Sequence, residues 1–249
     1  MLNASMVVAQ KEAVDGLRDV RSVISSLLYA LMGPLVVGLV SLSKAGSDGK
    51  VIGAMMSIFT LVAAFVGGMN VAMDAVAGER ERHSLLPLLL NPVRRLDIVM
   101  GKWLGVALFA VAGFLVNLVG SAMVLRMPPL VWLPAALGLL PLPLFAAALQ
   151  LLISTVCRNV KEAQTYLSLI VFLPMGIGMF LVFFPAANRA WCSYLPVVGQ
   201  QLQLQALMSG GRVPLLGTVA LGCLTAGLAL LILVATANRL QRDEIVYGN

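Results

Sequence analysis

Seven stretches of this chain run for 22 residues or more without Asp, Glu, Lys or Arg. A helix needs about 20 consecutive apolar residues to cross a bilayer, where no water can satisfy backbone polar groups left open. Six of the stretches qualify: Ser22–Ser43, Val51–Met73, Trp103–Leu125, Met127–Cys157, Ala163–Asn188 and Val213–Asn238. Only 11% of residues are charged and the mean hydropathy is +0.96, against roughly 25% charged in soluble domains. The expected fold is all-α, a polytopic integral membrane protein with six transmembrane helices in a single domain over residues 1–249.

The seventh stretch, Ala190–Gly211, carries Gln200, Gln201, Gln203 and Gln205 together with Pro196 and three glycines. Four amides facing lipid would have no hydrogen-bond partners. It is therefore read as a short re-entrant or interfacial helical element within an outer loop over 187–212. A seventh span would also place the two termini on opposite sides.

With six spans, twelve of the 17 basic residues collect on one side, among them Lys11, Arg18, Arg80, Arg82, Arg95, Lys102, Arg158 and Arg239. Cytoplasmic loops carry the excess of Lys and Arg, so both termini are expected in the cytoplasm and the protein in the cytoplasmic membrane. The net charge of +6 is then a topology signal. The basic residues are dispersed along loop edges without interleaved aromatics, which argues against a nucleic-acid partner. The first apolar run is too long for a cleaved signal and should stay in the mature protein.

Val7, Val14, Leu17 and Ile24 recur on one helical face while Lys11, Asp15, Arg18 and Ser22 lie on another. This spacing predicts an amphipathic helix over the first twenty residues that runs into the first span and lies in the membrane plane with its apolar face buried in the lipid interface. The other ionic concentration is Gly78-Glu-Arg-Glu-Arg-His83, between the second and third spans. Ser84 can cap a short helix after it, with Leu85, Leu86, Leu88, Leu89 and Leu90 as its face, and Asn91-Pro92 ends the element. Five leucines beside water must cover a membrane surface or enter a groove on a partner protein.

The string Ala77-Gly-Glu-Arg-Glu-Arg82 with Ser84-Leu85, Leu88-Leu89, Pro92, Arg95 and Gly101-Lys102 resembles the cytoplasmic loop of type-2 ABC exporter permeases, especially the sodium-export, NatB-like ones. The leading Lys11-Glu12, Asp15 and Leu17-Arg18-Asp19 and the trailing Arg239-Leu-Gln-Arg-Asp-Glu-Ile245 are similar to the same family's elbow and tail. The resemblance implies a half-transporter that works with a separate ABC ATPase subunit and a second permease copy, the latter expected as a homodimer through the first and fifth spans. It makes 5–21 the elbow helix and 78–91 the cytoplasmic coupling element, with Glu79, Arg80, Glu81, Arg82, Leu85, Leu88 and Leu89 as the ATPase-coupling residues. In that reading Glu79 and Glu81 make ionic contacts and the leucines are buried anchors. The chain departs from the commoner loop pattern in carrying His83 where a glycine is frequent and Pro87 within the leucine-rich piece.

Nothing in the sequence supports catalysis by the chain itself. No G-x-x-x-x-G-K-[ST] string occurs, so ATP and magnesium are expected on the partner and no cofactor on this chain. His83 is the single histidine, and Cys157, Cys192 and Cys223 are scattered, which gives no metal site and no catalytic residue. Polar groups within spans are few. Thr60, Asn70, Asp74, Asn117 and Gln150 are candidates for a substrate path, although polar groups inside a bundle more often tie helices together. Asp74, near the cytoplasmic end of the second span, is either a cation site or, as is commoner for such a residue, a group that lies at the interface or pairs with a nearby Arg or Lys. Two further classes stay open: a secondary transporter or channel needing no ATPase, which should carry charges in mid-span, and a non-transporting membrane anchor.

Overall fold

The computed structural model describes residues 2–42, 49–85, 87, 93–184, 190–211 and 213–240. Among the described residues the secondary structure is helical throughout, and six helical stretches are long and apolar enough to span: Val20–Val40, Val51–Glu81, Arg95–Val124, Ala136–Val156, Val160–Leu181 and Leu215–Arg239.

Helix α1 (Leu2–Arg18) meets α2 (Val20–Leu42) at Asp19. That carboxylate caps α2, accepting the Ser22 hydroxyl and the backbone N–H groups of Ser22 and Arg21, which hold it below the usual carboxylate range. Val7, Val14, Leu17 and Ile24 are exposed. The face of α1 turned into the protein is a different one, containing Ser5, Val8 and Glu12.

The second span is not one uniform helix. α3 (Gly49–Val66) stops at Gly67-Gly68, α4 (Met69–Met73) follows, and a π-helical turn (Asp74–Gly78) leads into the short α5 (Glu79–Glu81). A side chain at Gly67 would run into the Phe109 carbonyl, and one at Gly68 into that of Val106. The break therefore lets two backbones touch, the use small residues have between membrane helices.

Those carbonyls belong to α6 (Arg95–Val124), whose 30 residues would reach about 45 Å. It is the central post, packed by α1, α2 and α3 and by α8 and α11 on its other side. The fourth apolar run folds as α7 (Pro129–Leu139) and α8 (Pro141–Val156), divided at Leu140 before Pro141. α9 (Val160–Phe183) and α11 (Leu215–Arg239) supply the fifth and sixth spans. Pro34 and Pro174, residues of a type that ordinarily interrupts a helix, sit inside continuous α2 and α9. Gly120 on α6 accommodates the Pro34 ring.

Between α9 and α11, a 3₁₀ turn (Ala190–Tyr194) precedes α10 (Val198–Met208). Eleven residues reach about 16 Å, half the hydrocarbon thickness, so α10 is no span. Its amides are partly internal. Gln200 donates to Thr225 Oγ1 at 2.7 Å and Gln201 to Ser57 Oγ at 3.0 Å.

Candidate functional site

The ionic loop after the second span is built into the bundle by side chains pointing in four directions. Lys102, on the second turn of α6, is completely buried. Its ammonium donates to Glu12 Oε1 at 2.8 Å, Glu79 Oε2 at 2.7 Å and the Ala75 carbonyl at 2.6 Å. An ammonium has three protons, so every one is used. Lys11 donates to the other Glu79 oxygen. Two ammoniums and two carboxylates thus form a neutral tetrad joining α1, α5 and α6, and the Ala75 carbonyl adds the π turn.

Local sequence explains this geometry. Gly101 and Gly105 flank Lys102 one helical turn apart on α6. A Cβ at Gly101 would stand 2.6 Å from Val8 Cβ, and one at Gly105 stands 2.5 Å from Glu12 Cβ. The two glycines seat α1 directly on α6 and bring Glu12 to Lys102. Burial pulls the Lys11 ammonium toward neutrality. The Glu79 hydrogen bond and the fields of Glu12, Glu79 and Asp15 outweigh it and hold Lys11 above the ordinary lysine value.

Arg80 and Glu81 bind the turn between α8 and α9. Arg80 donates to the Thr155 carbonyl at 2.9 Å and the Cys157 carbonyl at 2.6 Å, the open acceptors at the C-terminal end of α8. Glu81 Oε2 accepts from Val160 N–H at 3.0 Å, in the first turn of α9. A cation at one helix end and an anion at the next start both suit the helix dipoles. Arg82 reaches back to Asp74 at 3.5 Å.

The proposed coupling residues therefore separate. Glu79 is 5% exposed and Leu85 3% exposed, with Leu85 packed in the core that includes Val76, Ile98 and Val99. Both side chains make their contacts within the chain, Glu79 in the tetrad and Leu85 in the core. Glu81 and Arg82 remain at the surface, and Leu88 and Leu89 lie outside the described residues. His83 takes φ +57°, the left-handed region that glycine favours, at the position where the family pattern carries one.

Of the candidate path residues, Thr60, Asn117 and Gln150 are buried ties between helices. Thr60 donates to Asn117 Oδ1 at 2.7 Å, Asn117 Nδ2 to the Ala30 carbonyl at 2.7 Å, and Gln150 to the Phe65 carbonyl. Asn70 and Asp74 line a polar cavity of about 440 Å³ beside the tetrad, with Lys11, Asp15 and Glu79. Asn70 also borders a larger groove of about 740 Å³ between α2, α3 and α9. Met32, Met55, Phe59, Phe172, Met175 and Met179 supply its apolar wall, and Ser25, Gln164 and Ser168 its polar part.

The tetrad is not legible in the sequence, because Lys102 reads there as one of the loop-edge charges that set orientation and Glu12 lies on neither face of the amphipathic pattern. The nearest local sign is a lysine beside two glycines four residues apart in an apolar helix, a spacing that allows another helix to approach closely. Among the described residues no group of His, Cys, Asp and Glu suits a metal ion.

Comparison with known proteins gives a consistent match. Residues 6–244 fit the family described as ABC-2 family transporter protein. The chain is 32% identical over 210 residues to the ABC transporter permease protein NatB of Bacillus subtilis (strain 168), covering 78% of this chain and 54% of that one. It is 33% identical over 119 residues to a probable ABC transporter permease protein, NosY, of Pseudomonas aeruginosa, covering 46% of this chain and 42% of that one. The NosY of Stutzerimonas stutzeri is 31% identical over 123 residues, covering 47% and 43%. The chain thus spans about half the length of the curated relatives it matches.

Proposed function

The chain belongs to the ABC-2 family of transporter proteins, and from that premise we propose that it is the permease subunit of an ATP-driven exporter, worked by a separate ATPase. The observation that carries this reading is the anchoring of Glu79, Arg80 and Glu81. A cytoplasmic segment of three residues holds α1, α6, α8 and α9 through charged hydrogen bonds. Force applied to the following leucines by a partner would be shared among several helices at once, as coupling requires. A plain anchor has no need of such a junction. Nor does the tetrad favour ion-driven transport, since its four charges satisfy one another.

Docking in this reading falls to Leu88 and Leu89, with Glu81 and Arg82 at the rim. Burying two leucines in a partner groove is worth several kcal/mol at about 25 cal/mol per Å², whereas an exposed rim charge is worth ~0–1 kcal/mol. The α2, α3 and α9 groove suits the path of an amphipathic cargo, because methionines adapt to varied apolar shapes while Asn70 and Gln164 can bind a polar group. Sodium, drugs, peptides and lipids are the substrate classes carried by this reading. A second permease copy would close the groove, whose polar residues are poorly suited to lipid.

The test is co-purification of the ATPase with the full-length permease from native membranes. Leu88→Asp with Leu89→Asp should release the ATPase, while the permease remains inserted and folded. Retention of the ATPase and of wild-type permease-stimulated hydrolysis by that variant would remove the loop from the coupling role.

A further inference from the structure

Lys102 does more than neutralise two carboxylates. Its third proton goes to the Ala75 carbonyl, inside the π turn. A π turn shifts the backbone register by one residue and redirects carbonyls away from the helix ladder, and here the ammonium holds one of them. The same ammonium binds Glu12 of α1 and Glu79 of α5. Upstream, the Gly67-Gly68 break separates α3 from the segment that carries these groups. The segment from Met69 to Glu81 thus lies between an interrupted helix and the ion tetrad, which joins it to α1 and α6.

We propose that Lys102 is a positioning residue that locks α1 to the π turn and to the loop after it, so that a displacement of the loop carries α1 along as one rigid unit. The proposal rests on the coupling reading above for the source of the displacement. The lock itself can be measured without the ATPase. It predicts a fixed separation between α1 and the loop in every nucleotide state, with motion occurring between this unit and α11.

The test uses the full chain in lipid nanodiscs, with spin labels at exposed Gln10 on α1, Ser84 after α5 and Asn238 at the end of α11, read in pairs as distance distributions. In the permease alone, Gln10–Ser84 should be narrow in the wild type and broad once the lock is removed. Lys102→Met leaves two buried carboxylates with one remaining cation and is prone to misfold, so the decisive variant is Lys102→Met with Glu12→Gln and Glu79→Gln, which removes all three charges together. A narrow Gln10–Ser84 distribution in that folded variant overturns the assignment to Lys102. With ATPase bound, adding ATP and vanadate should shift Gln10–Asn238 and Ser84–Asn238 together while Gln10–Ser84 stays unchanged. If Ser84 moves and Gln10 does not, the lock is refuted. If the lock is present in the permease alone but neither label moves with nucleotide, the coupling reading fails and the transmission role falls with it.

Discussion

At the residue scale, the tetrad and the loop after it show how position changes the meaning of a charge. Lys102 and Glu79 are desolvated, and removing one member of such a set leaves an uncompensated buried charge at a cost of about 3–5 kcal/mol. His83 is a different case, since its left-handed backbone strains a side chain that makes no compensating contact in the tetrad. The strain of that region for a residue with a Cβ is about 1–2 kcal/mol, partly offset by the greater freedom of glycine in the unfolded chain. His83→Gly should stabilise the protein by up to about 1 kcal/mol, seen as a higher thermal midpoint in detergent. A lower midpoint would show that the imidazole makes a contact worth more than the strain. Cys157 gives a second residue-scale expectation. Burial pushes its thiol up, Glu162 adds to that, and the Arg80 guanidinium opposes it only in part. The thiolate is the reactive form, so labelling of Cys157 at neutral pH should be slower than in the unfolded chain and rise about tenfold per pH unit until above the usual cysteine range. Arg80→Ala frees the end of α8 and should speed the reaction, although it also removes the one charge that lowers the pKa. Equal labelling of wild type and Arg80→Ala at a pH high enough to ionise the thiol in both would mean that the Arg80 contacts do not close this turn.

At the element scale, the seating of α1 on α6 depends on two missing side chains. Gly105→Leu would drive a branched side chain into Glu12 and push α1 off its seat, separating Glu12 from Lys102. Overpacking of this kind costs about 1–3 kcal/mol before the loss of the ion pair is added. The expected result is a lower thermal midpoint together with faster trypsin cleavage after Lys11 and Arg18. Gly227 faces open space on α11 and supplies the control, since Gly227→Leu should change neither. Equal behaviour of the two variants would mean that α1 is held by something other than its close approach to α6.

At the scale of the whole molecule, exposure is uneven among the spans. Only 22% of the first and fifth spans' apolar windows is buried, against 67% for the second. α2 and α9 frame the methionine-lined groove, and they are the faces offered to lipid and, in the proposed assembly, to a second copy. Cysteines at Met32 and Phe172, in a background without native cysteines, should crosslink between copies in native membranes with the ATPase present. Crosslinks confined to α11 positions such as Leu216 and Leu231 would place the dimer on the opposite side. Topology is open to a parallel check. Cysteine at Ser209 should react with an impermeant reagent from outside and cysteine at Ser84 only after the membrane is opened.

The sequence by itself determined the number of spans, because uncharged runs of more than 20 residues have one stable solution in a bilayer and that solution depends on local composition alone. It also located the ionic loop after the second span, since charges concentrated in an apolar chain stand out without reference to any neighbour. The ends and interruptions of the helices were less legible. Pro34 and Pro174 lie within unbroken helices, while Gly67-Gly68 and Asp74–Gly78 mark interruptions set by what packs against them. Which way Glu79 and Leu85 point, and that Lys102 is a buried hub and no surface charge, were decided only by tertiary structure. A buried ion pair exists only when two distant segments meet, here residues 12, 79 and 102 on three different helices, and no local pattern along the chain encodes that meeting. The nearest thing to a local trace is Gly101 and Gly105, whose lack of side chains allows the contact but does not name the helix that makes it.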